Sequence, residues 1–127
     1  MNKVILSIVL VLAIIYIVPF LVYGLGSVVA GLKTPAGVSP LQFLLSVLVS
    51  KTGTAIAFVL IFYVARSSLN GQWLLYAAIW WLMLVIGEIA QVIGRNYSWK
   101  EAVAGALSET IYLPLSACLV DWLIGLK

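Results

Sequence analysis

The chain has 127 residues, of which 65% are hydrophobic and 9% charged, with a net charge of +3. A soluble domain is nearer half apolar and a quarter charged, and a short chain cannot hide such an excess in a core, so the surplus is expected to face lipid. The scattered positive charges exclude a basic nucleic-acid surface, the absence of histidine excludes His-ligated metals and the commonest general base, and the single Cys118 excludes an internal disulfide.

The first segment runs from Val4 to Val22 without a charge. It is longer than a signal-peptide core, and Gly24 and Gly26 make a poor cleavage site, so a retained helix is expected. Pro19 should bend it. The connection from Tyr23 to Ser39 is rich in glycine, and part of it is expected to extend helix one or to lie in the interface. The second segment spans Leu41 to Ala65, with Ser39 as an N-cap and Pro40 at the first helical position. Asn70-Gly71 is a turn dipeptide. The third segment spans Trp73 to Ile93.

The fourth segment spans Ala102 to Ile124, with Ser98 to Glu101 read as a capping box at its start. Pro114 should bend this helix. Each segment has the roughly 20 residues needed to cross hydrocarbon as a helix. Trp73, Tyr76, Tyr97, Trp99 and Trp122 fall near segment ends, where amphipathic rings favour the interface. The expectation is one domain, residues 1–127, folded as an all-α, integral membrane four-helix transmembrane bundle. Its expected location is the cell (plasma) membrane, as a multi-pass protein.

Orientation is not encoded clearly. Lys3, Arg66 and Lys127 fall on one side, and Lys33, Arg95 and Lys100 on the other. With the two sides tied, the positive-inside rule favours neither orientation. The tie leaves open insertion directed by a partner, or dual topology with antiparallel pairs.

Charges within the spans are the informative residues, because each costs roughly 3 kcal/mol or more at mid-membrane and needs a partner or a purpose. They are Lys51, Glu88 and Glu109. Counted from one face, Glu88, Glu109 and Lys51 lie at depths of about 9, 12 and 16 Å, so one layer can hold all three. Each sits beside a polar stripe at helical spacing. In the third segment the stripe is Glu88, Gln91 and Arg95. In the fourth it is Glu101, Gly105, Ser108, Glu109, Tyr112 and Ser116. In the second it is Gln42, Ser46, Ser50 and Thr54, next to Lys51. All three stripes are expected to face inward. Small and polar residues at this spacing also pack helices together in lipid, which is the competing structural explanation. So is a simple Lys–Glu pair, with Lys51 at a helix break near Gly53.

Arg66 and Asp121 are expected on the opposite face as an interfacial ion pair. Glu101 reads as a cap and Cys118 as a small apolar residue. Asn96-Tyr97-Ser98 matches a short glycosylation sequon. No Ser-His or Cys-His combination, phosphate loop or metal motif is present, so no enzyme activity, cofactor or metal is implied. Two functions lead, with an enzyme acting on lipid a distant third. One is a small transporter or channel in which Glu88 and Glu109, with Gln91 and Tyr112 nearby, bind a proton or cation and Lys51 tunes their charge. The other is an accessory or assembly subunit of a larger membrane complex. The expected partners are the lipid bilayer and either further copies of this chain or partner subunits.

Overall fold

The computed structural model describes residues 2–29, 40–94 and 98–125. It is all-helical there: α1 (Asn2–Val29), α2 (Pro40–Leu69), α3 (Trp73–Ile93) and α4 (Trp99–Ile124). All four helices are long and apolar enough to cross a membrane. Compared with the sequence expectation, α3 has the same bounds and the other three helices are longer. The start of the first connection continues α1 to Val29. α2 opens at Pro40, which needs no amide hydrogen there, and runs unbroken through Lys51 and Gly53. Lys51 is therefore a mid-helix residue. Ser39, Lys33, Arg95, Asn96 and Tyr97 lie outside the described residues.

The turn after α2 is tight because Asn70 and Gly71 adopt φ of 47° and 82°. These are left-handed conformations that asparagine and glycine tolerate best. The amide of Asn70 bonds to the Arg66 carbonyl and that of Gln72 to the Leu69 carbonyl, which closes the end of α2.

The start of α4 corrects one expectation. Ser98 occupies the N-cap position in an extended conformation, but its side chain makes no capping hydrogen bond. Its carbonyl accepts from the Ala102 amide at 3.1 Å. The helix begins where the capping box places it, without the hydroxyl contact that defines the box.

Successive helices run antiparallel, and α4 is the hub. It packs along both α1 and α3, α1 also packs along α2, and α2 makes few close backbone approaches to α3 or α4. Side-chain size explains the difference. The buried face of α4 carries Ala102, Ala104, Gly105, Ser108, Ser116 and Ala117, which let neighbouring backbones approach. Aromatic rings fill the gap between α2 and α3. Phe58 and Phe62 meet the Tyr76 ring edge-on at 4.9 and 5.2 Å, and Phe58 lies 5.5 Å from Trp80. Tyr76 is thus not an interfacial aromatic, as its place near a helix end implied. It is buried, and its hydroxyl donates to the Phe58 carbonyl.

One apolar cluster draws on all four helices, including Val11 and Ile15 of α1, Phe58 and Phe62 of α2, Tyr76 of α3 and Ala117 and Val120 of α4. It fills the half of the bundle nearer the Asn70 turn. The residues left for the other half include Lys51, Glu88 and Glu109.

Candidate functional site

Two carboxyl groups and one ammonium group meet in the half of the bundle away from the Asn70 turn. Glu88 lies in the penultimate turns of α3 and Glu109 in the third turn of α4. The antiparallel α3–α4 pairing brings them to one level, with the two carboxyl groups within interaction distance of each other. Lys51, reaching in from α2, is close enough to act electrostatically on both. Its Nζ also lies 5.4 Å from the centre of the Tyr112 ring, within cation–π range. The matched depths read from the sequence correspond to this one cluster.

Local sequence makes the arrangement possible. Glu88 needs room to lie against α4, and Gly105 supplies it. A Cβ added at position 105 would stand 2.6 Å from Oε1 of Glu88. Glu109 and Tyr112 are three residues apart on the buried face of α4, only 3% and 1% exposed. Glu88 and Lys51 are half-buried.

The chemistry of the cluster follows from donor and acceptor counts. An ionised carboxylate only accepts, so a hydrogen bond between the two carboxyl groups would require one shared proton. A pair sharing one proton would carry one negative charge, which a Lys51 ammonium would balance. A neutral group of three is far cheaper in hydrocarbon than any of its members alone. One acceptor is left over. Oε1 of Glu109 is buried and has no hydrogen-bond partner among the described residues. Ser116 Oγ, two turns further along the same face of α4, is in the same condition. Ser108, by contrast, donates to the Ala104 carbonyl at 2.9 Å. No group of three metal-ligating side chains occurs among the described residues.

The three polar stripes divide. That of α4 faces inward as expected, with Gly105, Ser108, Glu109, Tyr112 and Ser116 all buried. That of α3 does not follow Glu88 inward, because Gln91 is exposed. That of α2 is the clearest correction: Gln42, Ser46 and Ser50 are exposed. The inward face of α2 is instead Ala55, Phe58, Val59 and Phe62, the i, i+3, i+4, i+7 set that forms the apolar core. Thr52 and Thr54 satisfy their hydroxyls on their own helix, at the carbonyls of Leu48 and Ser50.

Two features of the site were not anticipated. A cleft of about 100 Å³ opens between α3 and α4, lined by Glu88 with Trp99, Val85 and Ala102 among apolar neighbours. It brings the outside surface of the bundle up to one carboxyl. At the other end, Arg66 does not pair with Asp121. Its Nη1 donates to the Ile124 carbonyl at 3.0 Å, and its guanidinium stacks 4.3 Å from the centre of the Tyr63 ring. The i, i+3 spacing of Tyr63 and Arg66 carried that signal, since residues three apart on a helix are neighbours.

Comparison of the chain with protein-family models, characterised proteins and solved structures finds no match. The class it belongs to is therefore defined by architecture alone, a bundle of four helices each of membrane-spanning length.

Proposed function

We propose that the protein is a multi-pass membrane protein that binds and moves a proton or small cation at the Glu88–Glu109 pair, with Lys51 setting the charge of the site. The observation that carries this reading is the meeting of Glu88, Glu109 and Lys51 in one cluster with a buried, unpartnered carboxylate oxygen. Ionisable residues inside a membrane are expensive and are retained mainly for ion or proton pathways. A shared-proton pair beside an ammonium can exchange the proton for a cation without leaving a net charge stranded. Tyr112 and Ser116 continue the polar face of α4 beyond the pair. Towards the Asn70 end the apolar cluster closes the interior, so the site opens first through the half-buried Glu88.

Reconstitution into liposomes with an internal pH indicator tests the reading. Wild-type protein should collapse an imposed proton or monovalent-cation gradient faster than protein-free liposomes. Glu88→Gln and Glu109→Gln should abolish that flux while unfolding at a temperature close to wild type. Wild-type protein that leaves both gradients untouched would overturn it.

One observation favours assembly as well. Ser46 and Ser50 stand exposed beside the exposed Leu45 and Val49, and small polar residues four apart are a common contact between helices in lipid. We infer that this face of α2 meets another copy of the chain or a partner helix. Ser46→Cys should then form a disulfide-linked dimer on mild oxidation in membranes. A Ser46→Cys chain that stays monomeric, while Cys118 is replaced by serine, argues against a self-contact there.

A further inference from the structure

We propose a second site, at the opposite end of the bundle from the carboxyl pair, that binds the phosphate of an anionic phospholipid. It does not depend on the transport reading. A cavity of about 320 Å³ lies where α1 begins and where α2 and α4 end. That volume is at the lower end of the range for small-molecule sites. Two of its lining residues are the cations Lys3 and Arg66.

Arg66 is held in place there. Its bond to the Ile124 carbonyl uses one of five N–H donors, and the Tyr63 ring supports its flat face. The remaining donors are fixed in orientation and can face a phosphate in the cavity. Lys3 sits in the first turn of α1, where the helix dipole adds positive potential. Its long stem lets the ammonium reach from the helix into the cavity. The α4 terminus that lines the cavity offers carbonyls, which oppose an anion, but the Ile124 carbonyl is already taken by Arg66. Asp121 is not among the lining residues, but its carboxylate lies against Gly125 at the cavity's edge, one opposing charge against the two cations.

Position favours a lipid over a free anion. The cavity lies at the end of helices of membrane-spanning length, at headgroup level. Val4 and Leu123 give it an apolar wall that suits the glycerol and upper acyl carbons. A single phosphodiester charge between two cations also favours an anionic headgroup over a zwitterionic one, whose own cation would be repelled.

The test uses the whole protein in detergent, titrated with phosphatidylglycerol, phosphatidylcholine or inorganic phosphate, read by thermal unfolding and by native mass spectrometry of bound lipid. Phosphatidylglycerol should raise the unfolding temperature and remain bound, phosphatidylcholine should do neither, and added salt should reduce the difference. Lys3→Gln, which leaves the Arg66 clamp intact, should weaken phosphatidylglycerol binding roughly fivefold. Arg66→Lys keeps the charge but loses the oriented donors and should weaken it as well. Equal binding of the two lipids, or undiminished selectivity in Lys3→Gln, would overturn the proposal. Stabilisation by millimolar inorganic phosphate equal to that by phosphatidylglycerol would overturn the lipid assignment.

Discussion

The carboxyl group of Glu88 rests directly on the backbone of Gly105, so that a single added methyl group at position 105 would collide with both of its oxygens and its carboxyl carbon at 2.6 to 2.8 Å. The contact ties the position of the carboxyl pair to a residue with no chemistry of its own. Gly105→Ala should push the flexible end of Glu88 away from Glu109, and destabilise the bundle by about 1 kcal/mol, the lower end of the range for overpacking. Combining it with Glu88→Ala should recover most of that loss, because the colliding group is gone. Unfolding in detergent micelles measures both variants. An unaltered Gly105→Ala protein would show that Glu88 does not depend on this contact.

Lys51 is placed to act electrostatically on both carboxyl groups, and would balance one negative charge shared between them. Lys51→Met should therefore leave one buried negative charge without a partner, at a cost of about 3 kcal/mol or more. Adding Glu109→Gln should restore part of the stability, because the single remaining carboxyl of Glu88 can then take up a proton and become neutral. The double-mutant cycle isolates the coupling. Simple additivity of the two changes would mean that the three groups do not act as an electrostatic unit.

The α2–α3 gap depends on Tyr76. Its hydroxyl bonds to a backbone carbonyl of the neighbouring helix, so Tyr76→Phe keeps the ring packing and loses the bond. A loss of about 1 kcal/mol is expected, as for a buried neutral hydrogen bond. The same substitution at the exposed Tyr63 should be much milder, because that side chain supplies no bond to another helix among those described.

Ser98 gives the opposite expectation. With no side-chain capping bond to lose, Ser98→Ala should change stability by less than about 0.5 kcal/mol, the range of ordinary surface substitutions. A loss near 1 kcal/mol would indicate that the hydroxyl caps α4 in the membrane.

Much of the fold was legible because apolar length is a strong signal. The bounds of α3 are those read from the sequence, and the turn at Asn70 falls where the dipeptide put it. The carboxyl cluster was legible for a related reason: intramembrane charges are few, and their depths follow from the rise per residue. What misled was direction. Gln42, Ser46 and Ser50 have the same periodicity as the inward face of α4, and spacing alone does not say which way a stripe points. In α2 the bulk of Phe58 and Phe62 decided it, because large rings were needed to fill the gap opposite Tyr76. Tyr76 itself was misplaced because sequence position near a helix end does not reveal whether a neighbouring carbonyl can take its hydroxyl.

The central place of α4 has a consequence for biogenesis. Synthesis runs from α1 to α4, so Lys51 and Glu88 are in place in the chain before Glu109 has been made. Until then the two charges have only each other, on helices α2 and α3 that meet mainly through aromatic side chains, and the small-residue surface that α1 and α3 will grip does not exist. The polar layer therefore stays incomplete until α4 is made, and the last helix completes the fold and that layer together.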